Sequence, residues 1–238
     1  MTTAQLDGEL TDWRSRSRVM LQPIAPPSVL GLFGFGIATF MVAANLAWGF
    51  GGDEYLFPFA TAAGGIAQFA AAMWAFRARD AIATAMHGIW GAFWIGFGIL
   101  WLLFATGALT NPETGGEFQE YAYWFAALAA VTAAGAWAAL YENVGLFATL
   151  ALLTVGAGLL SAGLFTTGDA LETAAGYVLV ASSVAAWYSA TAMMLEAAAG
   201  KVVLPLGKRG MPMSNRRGAS ITAPIEFEHG QPGVRMGQ

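Results

Sequence analysis

Fixed positive charge is confined to three short parts of this chain. The eleven lysines and arginines lie at Arg14, Arg16 and Arg18, at Arg77 and Arg79, and from Lys201 onward. A cationic side chain costs several kcal/mol in hydrocarbon, so an apolar stretch of about twenty residues that is free of Lys and Arg reads as a membrane span. Six such stretches occur: Val29 to Phe50, Tyr55 to Phe76, Ala81 to Phe104, Tyr121 to Tyr141, Val144 to Phe165 and Ala174 to Leu195. The chain is 57% hydrophobic and 11% charged, and its thirty glycines are spread through the apolar runs, where they allow close helix packing. The runs are too long and too continuous for barrel strands, which need about ten alternating residues. The expectation is an all-α, polytopic six-helix bundle.

Loop charge sets its orientation, because short cytoplasmic connections retain Lys and Arg. The N-terminal segment, the second-to-third connection and the tail carry every cation. The other connections, at 51–54, 105–120 and 166–173, hold Asp53, Glu54, Glu113, Glu117, Glu120, Asp169 and Glu172 and no base. Both termini are therefore expected in the cytoplasm. Residues 1–27 are expected to form a cytoplasmic N-terminal segment, 28–200 a six-helix transmembrane domain and 201–238 a largely flexible cytoplasmic tail. A cleaved secretory leader is not expected, since the first apolar run begins near residue 29 and has the length of a full span. Glu226 and Glu228 interrupt the basic tail, and no aromatic series accompanies it. That pattern favours anionic lipid headgroups over nucleic acid as its partner.

Chemistry inside the spans is sparse. There is no cysteine, which excludes disulfides, thiolate metal sites and thiol catalysis. His87 is the one ordinary ionisable candidate within the windows, and a single histidine makes neither a dyad nor a metal site. No lysine lies in a span to hold a retinal Schiff base. Neither an enzyme nor a bound cofactor is expected. Neutral polar residues instead punctuate the helices, among them Gln68, Thr132, Thr154 and Ser189. Such groups either bond neighbouring helices or line a permeation route. Gln68 has Gly64 one turn earlier and Gly65 close by, which leaves room beside the amide. His87, Trp90, Gly91 and Trp94 recur at i, i+3, i+4 and i+7, so a bulky aromatic face lies next to a notch. An imidazole titrates near neutrality, which makes His87 a candidate for proton linkage. The same face also fits plain packing.

These residues carry a family resemblance. Pro26-Pro27-Ser28-Val29-Leu30-Gly31-Leu32-Phe33-Gly34-Phe35 is similar to the signature that opens the first helix of the acetate uptake transporters, also called succinate/acetate permeases. Gly64-Gly65-Ile66-Ala67-Gln68, Trp90-Gly91-Ala92-Phe93-Trp94 and Val203-Leu204-Pro205-Leu206-Gly207 follow in the same order and spacing. The resemblance implies a plasma-membrane homohexamer in which each protomer has its own pore for acetate and related small carboxylates. It implies an apolar constriction at Phe35, Trp90 and Leu153, the last just before Thr154. It also implies that Ala186, near Tyr188, influences carboxylate size preference. Pro26 replaces the signature asparagine, and Trp90 replaces a tyrosine, exchanging a hydroxyl for an indole N–H donor. Together, these readings make Gln68 and the Trp90 indole the expected carboxylate donors, with His87 and Trp94 nearby. Two alternatives remain open at this stage: a small-anion channel of the formate/nitrite type, and a membrane scaffold with no transport role.

Overall fold

A computed structural model describes residues 24–51, 55–110, 119–166 and 169–208. The N-terminal arginines, the loop acids Asp53, Glu54, Glu113 and Glu117, and the chain beyond Lys208 with Glu226 and Glu228 lie outside the described residues. Contacts group Ala25–Pro212 as one unit, to which everything below belongs.

The six apolar windows become six helices long and apolar enough to cross a membrane. These are α1 (Pro27–Trp48), α2 (Phe57–Ala78), α3 (Ala81–Ala105), α4 (Gln119–Ala139), α5 (Val144–Thr166) and α6 (Asp169–Ala199). Successive spans run antiparallel, so α1, α3 and α5 point the same way. Each end has a local cause. Pro27 stands in the first turn of α1, where its missing N–H is not needed, and Gly49 closes the helix in the left-handed region at φ 61°. The Asp80 carboxylate accepts the Ala83 N–H at 2.8 Å and so caps α3. The sixth helix starts five residues before its apolar window. Asp169 and Glu172 occupy its first turn, where carboxylates oppose the positive end of the helix dipole.

Two features depart from the sequence reading. The second span leaves α geometry over Thr61–Ala67, where seven residues adopt π-helical bonding just before Gln68. Wider turns of this kind are concentrated at functional positions in helices. The tail also begins later than its composition suggests. Val144 N–H donates to the Gly207 carbonyl at 3.2 Å and Gly145 N–H to the Leu206 carbonyl at 3.1 Å. The Tyr188 hydroxyl donates to the Pro205 carbonyl at 2.8 Å. Gly207 takes φ +66°, a conformation that side chains disfavour, with Val144 packed against it. The Val203–Gly207 motif is thus a strap that ties the end of α6 to the α4–α5 turn.

Within the bundle, α1 packs on α6 and α2, α3 on α2, and α5 on both α4 and α6. Small residues let the backbones approach. A Cβ built on Gly91 of α3 would stand 2.8 Å from the Phe69 backbone nitrogen of α2. Large apolar side chains such as Trp74, Trp137 and Tyr123 point outward instead, at 59%, 70% and 66% exposure, which suits a surface facing lipid.

Candidate functional site: a cavity ending at Phe35, Trp90 and Leu153

Three parallel helices build one wall by stepping a turn at a time. The first supplies Ser28, Leu32 and Phe35; the third supplies Ala83, Met86, His87 and Trp90; the fifth supplies Leu146, Thr149, Leu150 and Leu153. With Ile82 of α3, Gln68 of α2 and Met193 of α6 complete the wall around a narrow space, part of it open to solvent. Asp80 and Glu142 stand at the end that carries the α2–α3 and α4–α5 turns. At the far end Phe35, Trp90 and Leu153 are 3%, 3% and 1% exposed. The Phe35 and Trp90 rings meet edge-on with centroids 6.3 Å apart.

The polar groups along this wall are few and mostly committed. Gln68, 1% exposed, places its amide nitrogen 3.5 Å from His87 Nδ1, a long contact whose direction depends on the tautomer of the ring. Its carbonyl oxygen has no partner among the described residues. His87 in turn lies flat against Gly31, where an added Cβ would come within 2.5 Å of the imidazole. The motif glycine of α1 is therefore the seat of the α3 histidine. Thr149 Oγ1 donates to the Gly145 carbonyl at 2.9 Å. No lysine or arginine lines the cavity among the described residues.

One expected donor must be corrected. The Trp90 indole N–H donates to Thr132 Oγ1 at 3.0 Å, and Thr132 donates onward to the Leu128 carbonyl at 2.6 Å. The ring faces the cavity while its N–H ties α3 to α4. The expected helix-three face divides accordingly. His87 and Trp90 reach the cavity, Gly91 meets the backbone of α2, and Trp94 packs on Gly64, Phe93 and Phe97 outside the wall. Trp94 Nε1 is buried without a partner among the described residues. Three further sequence candidates also lie outside the wall. Thr154 donates to the Leu150 carbonyl at 2.8 Å. Ala186 is fully buried on α6, and Tyr188 is 41% exposed with its hydroxyl engaged by the strap.

Asp80 and Glu142 are the lining residues that sequence reasoning overlooked. They lie in different connections, and a turn at each site folds them into the same mouth. Both are half-buried. Burial raises the Asp80 carboxyl above the usual carboxylate range, against the opposing effect of the Ala83 and Ile82 backbone N–H groups. Burial pushes Glu142 up to about 7, and the neighbouring Asp80 adds to that shift. An acid whose pKa is raised on folding favours the folded state in its protonated form. The stability it confers is complete below its ordinary value near 4.5 and is lost as pH rises toward about 7. Thermal unfolding in detergent should therefore show a midpoint lower by a few degrees at about pH 8 than at about pH 5. Glu142→Gln should remove most of that difference. A wild-type midpoint that does not change with pH would contradict the assignment.

Six spans around a cavity blocked by a buried apolar ring define the class: a multi-pass membrane protein built as channels and transporters are built. The family follows from a match across residues 13–208 to the GPR1/FUN34/yaaH family, and the chain belongs to it. The resemblance read from the four motifs is borne out at this level. An uncharacterised protein of Methanothermobacter thermautotrophicus is 28% identical over 211 residues, which cover 83% of this chain and 98% of that one. Among solved structures, the bacterial acetate channel SatP superimposes with a TM-score of 0.71 at 25% identity. That match covers 77% of this chain and 99% of SatP.

Proposed function

We propose that each protomer passes acetate and related small carboxylates through the cavity just described, gated at Phe35, Trp90 and Leu153. The observation that carries this reading is a single space with an apolar far end and a few neutral polar groups before it. Apolar walls accept the alkyl end of the solute, while His87 and Gln68 orient its carboxyl group. Neutral groups hold an anion weakly enough to release it, which a fixed cation would not. The likeness to SatP, a bacterial acetate channel, supports the choice of solute. Transport without catalysis, a homohexameric assembly and a plasma-membrane location complete the reading.

Arg77, Arg79, Lys201 and Lys208 gather at the cavity-mouth end, which supports placing that end and both termini in the cytoplasm. Glu120, Asp169 and Glu172 at the opposite end fall in first turns of helices, as dipole partners. The scaffold alternative gives no reason for a cavity whose wall includes a buried amide oxygen without a partner among the described residues. Purified protein in vesicles should take up labelled acetate faster than empty vesicles. Equal uptake in the two would remove the transport reading.

A further inference from the structure

We propose that the Val203–Gly207 strap sets the width of the constriction by holding the α4–α5 hairpin, which makes Leu206 and Tyr188 positioning residues for the size limit of the passage. The inference rests on the carboxylate-transport reading above and adds a determinant that lies outside the cavity wall. Two of the three constriction residues, Phe35 and Trp90, stand on α1 and α3, and the third, Leu153, stands on α5. Helix α5 packs along α4 and α6 and has no extended packing on α1, α2 or α3 among the described residues. The cavity lies in that gap, with Leu146, Thr149, Leu150 and Leu153 on one side of it. Contact between the hairpin and α3 is slight by comparison and includes the Trp90–Thr132 bond and the Phe93–Phe125 ring pair, both made by α4. The width at Leu153 therefore depends on what fixes α5 from its own side.

The strap grips α5 at its first turn. An α-helix begins with N–H groups that have no acceptor inside it. Here those of Val144 and Gly145 donate to the Gly207 and Leu206 carbonyls, and that of Leu146 donates to Asn143 Oδ1 at 2.8 Å. Leu206 is 5% exposed although Val202 and Val203 are 57% and 46% exposed, so one side chain anchors the strap. It packs on Gly145, where an added Cβ would come 2.8 Å from Leu206 Cδ2 and 2.9 Å from Ser189 Oγ of α6. The strap, α5 and α6 thus meet at a single glycine. Tyr188, the residue before Ser189, donates its hydroxyl to the Pro205 carbonyl and holds the strap from the α6 side. The Lys208–Glu196 pair adds little, because both side chains are partly open to solvent. Ser189 Oγ is buried without a partner among the described residues. Lifting Leu206 would open it to water, which narrows the difference between a docked and a released strap. A helix moves as a rod, and Leu153 lies about 12 Å along α5 from Gly145, so a shift at the first turn reaches the constriction. Docked, the strap keeps Leu153 level with Phe35 and Trp90; released, it lets the hairpin tilt and the gap widen.

The test uses the full chain in vesicles as wild type, Leu206→Ala, Leu206→Met and Tyr188→Phe, with labelled acetate and labelled butyrate supplied separately. The butyrate-to-acetate uptake ratio should rise about threefold or more in Leu206→Ala, rise by less in Tyr188→Phe, and keep the wild-type value in Leu206→Met. A second readout needs no transport. The chain has no cysteine of its own, so spin labels on Ala81→Cys and Tyr141→Cys, beside the mouth residues Asp80 and Glu142, report the span across the mouth. Their separation should lengthen when Leu206→Ala is added. A strap that only stabilised the fold would lower the unfolding midpoint and leave both readouts at wild-type values. That result in folded Leu206→Ala, or in Tyr188→Phe if Leu206→Ala does not fold, would overturn the proposal while leaving acetate transport standing. Wild type that takes up no more acetate than empty vesicles would instead overturn the transport reading, and the label separation would still decide whether the strap holds the hairpin.

Discussion

Trp90→Ala is expected to turn a size-limited passage into an open one. In vesicles, the variant should admit a bulkier monocarboxylate such as butyrate at least about tenfold faster than wild type, with acetate uptake also raised. The indole contributes three things at once: a ring edge against Phe35, contact with the Phe93 ring at 5.4 Å, and the N–H bond to Thr132. Alanine removes all of them and leaves a void beside the constriction. Loss of a buried ring of this size costs about 3–5 kcal/mol, so the unfolding midpoint should fall as well. Trp90→Phe separates the two roles. It keeps an aromatic ring in the passage, though a smaller one, and loses the bond to Thr132, which costs about 1 kcal/mol. Its size cut-off should stay close to wild type. A folded Trp90→Ala protein with the wild-type cut-off would remove Trp90 from the constriction.

The second large effect is on folding. Gly91→Val is expected to yield no monodisperse protein in detergent, and Gly91→Ala a folded protein with a clearly lower unfolding midpoint. The first atom of any side chain at 91 would lie 2.8 Å from the Phe69 nitrogen and 3.0 Å from its Cα. These are backbone atoms of a packed helix and cannot turn aside as a side chain would. Overpacking of even a yielding core costs about 1–3 kcal/mol, and valine adds two methyl groups to the same collision. Helices α2 and α3 must then part, and Gln68, the residue before Phe69, moves away from His87. Full stability in the valine variant would mean that the two helices are not held at this point.

The spans were legible because hydrocarbon excludes fixed cations, and that rule acts on the sequence directly. The helices begin and end within a few residues of the cation-free windows, apart from the early start of α6 at Asp169. Gln68, His87 and Trp90 were also legible as residues facing a space, since glycines beside them and helical spacing mark a notched face. What each polar atom bonds to was not. Whether the Trp90 N–H points into the passage or across to Thr132 depends on the packing of α4, which shares no motif with α3. Asp80 and Glu142 escaped notice because they belong to turns rather than spans, and only tertiary folding brings them together. Tyr188, read beside Ala186 as bearing on selectivity, falls outside the wall for the converse reason. Its position along the chain says nothing of the strap that captures its hydroxyl.

The wide turn at Thr61–Ala67 has a consequence for how this passage can vary. A π turn carries one residue more than the α turn it replaces, and each α-helical residue advances about 100° around the axis. Loss of a single residue there would let an α turn take its place and keep everything after it, the Gln68 amide included, on its present face, whereas a residue lost from a regular α turn would swing the rest of the helix by roughly that angle. The helix would still be apolar and long enough to cross a bilayer. A one-residue loss in this stretch is therefore absorbed by the turn itself, whereas the same loss in the α-helical part of the span before Gln68 would turn that amide out of the wall without changing whether the protein inserts.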